Sequence, residues 1–408
     1  MSTWEKYRLG DIADLSLGKM LDEKKNRGDM FPYLANVNVR WGIFELENLR
    51  EMRFEPKDME RFGVISGDIV MCEGGEPGRC AIWNDAVPGM MLQKALHRIR
   101  PKIGFNYQFL FYSFLYLGKT DGFSHLLTGA TIKHLPLQSL AKLEVKAPPL
   151  AIQERIAESL SSYDDLIENN RRRMTLLEQS ARLLYEEWFV RLRFPGHEHT
   201  RIVEGVPEGW HKVPLGKIVG KIGSGFTPRG GDAAYLPEGT PLIRSLNVYD
   251  DQFQDDGLAF ISDEQALSLA GVTVESKDIL LNITGASVAR CCMAPERYLP
   301  ARVNQHVMII RVDREKADPF FVHKAINSDE RKRQLLSFAQ KGSTREALTK
   351  EMVSKFEIVV PPVGLMRQFG GVASQVFQQR ETLALQNQKL RAARDLLLPR
   401  LMSGELVA

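Results

Sequence analysis

The chain has 408 residues, 44% of them hydrophobic and 26% charged, enough for two to three domains with ordinary cores. No stretch offers the roughly 18 uncharged apolar residues of a membrane span, and the opening MSTWEKYRLGD lacks the apolar run of a signal peptide, so a cytoplasmic protein is expected. Four cysteines, Cys72, Cys80, Cys291 and Cys292, are too few and too irregularly spaced for a disulfide framework or a four-thiolate zinc site, and a net charge of +3 neither demands nor excludes a polyanionic partner.

Residues 1–150 read as a mixed globular unit. Gly67–Met71 is a β-branched run bounded by turn residues; Phe105–Leu117 suits a helix, or, being apolar almost all round, a buried strand pair. Residues 151–193 then contain neither Gly nor Pro. Ile156, Tyr163, Asn170, Leu177 and Leu184 recur every seven residues, with Leu160, Ile167, Met174, Ala181 and Trp188 four positions on. That spacing predicts one helix, roughly 60 Å long, with a narrow apolar seam that needs a second helix against it. Residues 194–208, with Phe194-Pro-Gly-His-Glu-His-Thr200 and Pro207, read as a linker. Residues 209–362 form a second mixed unit, with strands at Asp278–Leu281 and Val307–Val312 and a helix over Pro319–Ser337. Residues 363–408 close the chain, helical from about 365 to 401.

The chain is a repeat. Trp4–Ile12 matches Trp210–Ile218, Pro32–Val39 matches Pro241–Val248, and Gly129–Pro149 matches Gly342–Pro362 with seven of 21 positions identical, where about one is expected by chance. The same 213-residue offset carries the first heptad series onto Phe369, Val376, Leu383, Leu390 and Leu397. The expected class is α+β: two repeated domains and two long helices that pack most simply as an antiparallel coiled coil, giving a pseudo-two-fold molecule. Asn170, Arg380 and Asn387 interrupt the seams; either they fix register, or the helices diverge there and these groups are wet.

Charge is lopsided within each unit. Ile43–Glu73 holds eight acids and four bases against two and eight in Gly89–Lys146; Asp232–Asp278 holds ten and two against six and eleven in Arg302–Lys350. The basic halves suit a phosphate backbone, or the two halves simply face each other. Three loop types recur. One is glycine-rich, Cys72–Arg79 and Asn282–Arg290, where Arg79 or Arg290 can meet phosphate or grip guanine. A second carries Gln93 and Lys94 in one unit, Asn304 and Gln305 in the other, amides that can pair with adenine or else finish a strand. The third, with Thr131 and Lys133 or Thr344 and Arg345, suits either a phosphate at a helix N-terminus or a plain cap.

Walker A, the dinucleotide glycine fingerprint and the Asn-Pro-Pro-aromatic motif of amino methyltransferases are all absent from the sequence. His197 and His199 flank a single Glu in the linker, a poor start for a metal site. No catalytic constellation is visible, so a nuclease or methyltransferase chain is disfavoured.

Gly129, Thr131 and Leu135, followed by Pro148, Pro149, Leu150, Gln153 and Ile156, then Leu183-Leu-Tyr-Glu-Glu-Trp-Phe189 and the closing Leu396-Leu-Leu-Pro-Arg-Leu-Met-Ser-Gly-Glu405, resemble the specificity subunit of Type I restriction-modification systems over essentially the whole chain. In the second repeat Val363-Gly-Leu-Met-Arg-Gln368 departs from the Gln-x-x-Ile pattern, and in the first Gln93-Lys94-Ala95 stands where the second has Asn304-Gln305-His306. The resemblance implies two target-recognition domains, 1–150 and 209–362, each reading half of a split, asymmetric double-stranded DNA target, with the helices at 151–193 and 363–408 setting the unread spacer. It further implies two methyltransferase subunits as partners, two motor-nuclease subunits where cleavage occurs, and no cofactor on this chain: S-adenosylmethionine, and ATP with Mg2+, belong to those partners. A different class, a non-catalytic adaptor spacing two protein partners, predicts no salt-sensitive DNA binding.

Overall fold

The computed structural model describes residues 4–20, 26–228, 230–340 and 347–406. The chain divides into two compact units, Met1–Glu168 with Gln388–Ala408, and Asn169–Asn387, so each contains one mixed domain and a piece of both long helices.

In the first unit a four-stranded antiparallel sheet runs in the order Ala13–Leu17, Leu96–Pro101, Ile69–Cys72, Cys80–Ile82. A smaller sheet pairs Asp29–Leu34 antiparallel with Arg50–Phe54 and parallel with Met91–Leu92. The second unit repeats the plan. One four-stranded sheet is Val219–Ser224, Val307–Val312, Ile279–Asn282, Cys291–Met293; the other pairs Thr240–Ile243 antiparallel with Ala259–Ile261 and parallel with Ala301–Val303, and gains a fourth strand, Thr273–Val274, antiparallel to Ala301–Val303. The terminal ladders, Glu5–Arg8 on Glu144–Ala147 and His211–Pro214 on Glu357–Val360, repeat as well.

The apolar stretch after Phe105 is a helix, Tyr107–Lys119, because the Asn106 side chain accepts the Phe109 N–H at 2.9 Å and caps it. Asp318 does the same for Pro319–Asn327, accepting from the N–H of Phe320 and Phe321. The single helix expected over Pro319–Ser337 is two. Ser328 turns extended (ψ 143°), its hydroxyl donates to the Ala325 carbonyl at 2.8 Å, and a second helix begins at Asp329. All four cysteines are buried free thiols.

The long helices span Leu150–Tyr185, prolonged by a π-helical turn at Glu186–Val190, and Val363–Met402. Gln153 in the first turn is 2% exposed; its amide donates to the Pro148 carbonyl and accepts from Asn106 N–H, tying the helix start to the domain. At the matching place the second repeat has Met366, 0% exposed, which fills the same position with apolar bulk. Both helices complete the domain cores. Ile156, Leu160, Leu398 and Leu401 join Phe109, Phe114 and Ile99 in the first unit; Phe369, Ala373 and Tyr185 join Phe321, Leu281 and Ile310 in the second. Of the remaining seam residues, Ile167 and Leu383 are buried, while Tyr163, Leu177, Leu184, Val376, Leu390 and Leu397 are half-buried.

Within the second unit, Asn170 pairs with Asn387 and Glu178 with Arg380; one series rises as the other falls, so the helices are antiparallel there. The Asn170 amide donates to Asn387 Oδ1 at 2.9 Å with both residues buried, the polar pairing that rewards a single register. In the first unit Arg394 holds Asp164.

One turn differs between the repeats. Gly67 and Lys277 occupy equivalent places before Asp68 and Asp278, both at positive φ (90° and 69°). Only the glycine does so without a Cβ clash. Lys277→Gly is therefore expected to stabilise the second unit by about 0.5 to 1 kcal/mol, read as a rise of roughly 2 °C in its thermal midpoint.

Candidate functional site

In the first unit the candidate loops converge on the end of strand Ile69–Cys72. Glu73 N–H donates to the Ala95 carbonyl (2.9 Å), Leu135 N–H donates to the Glu73 carbonyl (2.8 Å), and Gly74 bridges His134. The glycine-rich loop, the Gln93-Lys94 loop and the Thr131–Lys133 loop are thus stitched together through the backbone. In the second unit Ile283 N–H donates to the His306 carbonyl (3.0 Å), Leu348 N–H donates to the Ile283 carbonyl (2.8 Å), and Thr284 bridges Ala347. These are the same three ties at offsets of 210 to 213 residues, although the side chains around them differ. Gly18 and Gly225 permit the close approach of the loop bearing Gln93 or Asn304: a Cβ would lie 2.4 Å from the Gln93 carbonyl and 1.8 Å from that of Val303.

Each candidate residue has a definite place. Thr131, Lys133 and Lys94 are exposed. Gln93 is half-buried, its side-chain oxygen accepting from Ala95 N–H, and Asn304 is 7% exposed and accepts from His306 N–H at 3.0 Å, so both amides are engaged in shaping their own loops. Gln305 accepts from the Thr227 hydroxyl, and its amide donates to His306 Nε2 at 2.9 Å. That leaves His306 Nδ1–H to donate to Thr284 Oγ1 at 2.6 Å. Arg79 turns inward, pairing with Glu76 and donating to the Asn36 carbonyl at 3.0 Å. Arg290 lies over the Tyr249 ring, 4.5 Å from its centroid, leaving a half-buried guanidinium at the end of its loop. Thr344 and Arg345 lie outside the described residues.

Sequence reasoning passed over a fourth loop. The turn Asn36–Asn38 abuts the glycine-rich loop through Arg79 and through the Asn36 amide, which donates to the Gly74 carbonyl at 3.5 Å. Its counterpart Ser245–Asn247 is held to the second glycine-rich loop by Asn282, whose amide donates to the Ser245 carbonyl at 2.8 Å. It lay inside the matched segments Pro32–Val39 and Pro241–Val248, where Asn38 and Asn247 are shared. His97, also overlooked, is fully buried with Nε2 2.8 Å from the Leu135 carbonyl. Burial pushes its ring below the usual imidazole range, so the neutral ring donates from Nε2.

Much of the basic excess is matched internally. Asp68 takes Arg100, Asp278 takes Arg311, Asp251 takes Lys324 and Asp250 takes Lys332. For these residues the acidic and basic halves face each other. Lys94 and Lys133, on the loop cluster itself, face solvent.

Among the described residues, no group of three His, Cys, Asp or Glu side chains is placed to hold a metal, and no helix is long and apolar enough to cross a membrane. The His197 ring sits on the Phe194 carbonyl.

Residues 1–179 match the family model described as the Type I restriction modification DNA specificity domain. The chain is 24% identical to the Type I restriction enzyme MjaIX specificity subunit of Methanocaldococcus jannaschii, over 99% of this chain and 93% of that one. It is 21% identical to the HindI specificity subunit of Haemophilus influenzae, over 100% of both. The crystal structure of the Type-I restriction-modification system S subunit from M. genitalium shares the fold, with a TM-score of 0.57 at 17% identity over 98% of this chain and 96% of that one. The specificity-domain match over residues 1–179, the full-length likeness at 21–24% identity and the shared fold make this chain similar to Type I restriction-modification specificity subunits.

Proposed function

We propose that the chain reads a split, asymmetric DNA target, one half-site per unit, and positions methyltransferase subunits, with motor-nuclease subunits where cleavage occurs, on that DNA. The observation that carries this is the duplicated loop cluster. Three backbone ties are kept at the same offsets in both units, while the side chains they present differ, Gln93-Lys94-Ala95 against Asn304-Gln305-His306. A repeated frame with unlike displays suits two unlike half-sites. Lys94, Thr131 and Lys133 contact DNA in the first unit; Arg290 and Gln305 do so in the second. The long antiparallel helices set the unread spacer between half-sites and carry the docking surface for two methyltransferase subunits. The chain works in the cytoplasm and is itself non-catalytic; S-adenosylmethionine, and ATP with Mg2+, are held by its partners.

Base-modification sequencing of the host genome with and without this gene tests the reading. A two-part adenine motif is expected to vanish on deletion; a modification profile identical in both strains overturns it.

A further inference from the structure

The turns Asn36–Asn38 and Ser245–Asn247 each present an apolar side chain to solvent at the middle position. Val37 is 59% exposed and Leu246 43% exposed. Isolated exposed apolar residues are common, but these two occupy the same step of the same turn in both repeats. The turn is rigid. The Asn38 side chain accepts from Ala35 N–H (2.9 Å) and donates to the Glu45 carbonyl (3.0 Å); Asn247 accepts from Arg244 N–H (3.1 Å) and donates to the Gln254 carbonyl (3.0 Å). Each turn is also hydrogen-bonded to its glycine-rich loop, by Arg79 in one unit and Asn282 in the other. Val37 and Leu246 are therefore held at fixed positions on the reading surface, next to the groups that hydrogen-bond.

An apolar side chain presented to a DNA groove gains nothing from phosphates or from base amides. In the major groove its one matching feature is the C5-methyl group of thymine. We infer that Val37 and Leu246 are specificity residues, each contacting a thymine methyl in the half-site read by its own unit. The inference rests on the proposed DNA-reading function and adds to it a residue and the group it recognises.

The test uses the complex of the full chain with its methyltransferase subunits and duplexes carrying the genomic motif, with each thymine replaced in turn by deoxyuridine, which lacks only the methyl. One thymine per half-site is expected to matter, its replacement weakening binding about fourfold, the worth of one buried methyl-sized contact. Leu246→Ala should abolish that sensitivity in one half-site and leave the other intact; Val37→Ala should do the converse. Both side chains are exposed, and unchanged thermal midpoints for the variants will show that the fold is intact. A wild-type complex indifferent to deoxyuridine at every position, or variants that still sense it, overturns the inference. Failure of the wild-type complex to prefer its motif over scrambled DNA strikes instead at the DNA-reading function.

Discussion

Glu178→Ala should destabilise the second unit by about 3 to 5 kcal/mol, the cost of leaving buried cations without their anion. Glu178 lies on the first long helix and receives both Arg380 of the second helix and Lys324 of the domain helix Pro319–Asn327. The Lys324 and Arg380 side chains are only 6% and 14% exposed. With Glu178 gone, Lys324 keeps Asp251 at 3.0 Å, whereas Arg380, whose Nε already has no hydrogen-bond partner, loses its direct carboxylate contact. Hydrogen exchange followed by mass spectrometry would localise the loss, with protection falling in residues 169–387 while the first unit keeps its own. Replacing the inter-helix pair together, with Glu178→Leu and Arg380→Leu while Lys324 keeps Asp251, should recover much of the loss, since an apolar substitute for a buried ion pair is often neutral or better. A single Glu178→Ala variant that unfolds in urea at the wild-type midpoint would show that the cluster is not desolvated as the geometry indicates.

The second large effect belongs to the duplicated ion pair at the start of strands Ile69–Cys72 and Ile279–Asn282. Asp278 has a fully buried side chain; it accepts Arg311 through Nε (2.8 Å) and Nη2 (2.7 Å) and takes the Glu275 N–H at 2.7 Å. Asp68 does the same with Arg100 and the Ile65 N–H. Hydrogen bonding to these carboxylates, more than the charges alone, raises both guanidinium groups above the ordinary arginine range. Either Asp→Ala substitution should cost about 3 kcal/mol, at the low end for a broken ion pair because Arg100 and Arg311 are 30% and 26% exposed and can reach water. Asp68→Ala should lower the first unfolding transition and Asp278→Ala the second. Equal shifts in both transitions from either variant would mean that the pairs do not stabilise their own units.

The long helices were legible in advance because a heptad series is local information: Ile156 to Leu184 and Phe369 to Leu397 announce a seam without reference to anything distant. The repeat was legible for the same reason, through shared residues such as Gly129, Thr131 and Leu135. The helix Pro319–Asn327 was misread as longer because the stop at Ser328 is a conformational choice made by one ordinary residue. At the site, the three loop types were legible from composition, but their convergence was not. It depends on hydrogen bonds such as those from Glu73 to Ala95 and from Leu135 to Glu73, between residues far apart in sequence. Arg79 illustrates the limit. Beside a glycine-rich loop it reads as a DNA contact, yet its guanidinium is taken up by the carbonyl of Asn36, a partner that no local pattern reveals. The turn bearing Val37 was hidden differently: Pro32–Val39 was read only as a segment matching Pro241–Val248, and its shared asparagine passed for ordinary repetition.

The loop cluster is tied by main-chain groups, which every residue except proline supplies in full. Such a joint depends little on the side chains that point away from it. Lys94 and residues 131 to 133, which face solvent, can be exchanged without renegotiating the attachment. On the proposed DNA-reading function, exchanging those side chains would change what the unit recognises while its backbone frame stays in place. The core residues that make the unit fold stay under no pressure to follow.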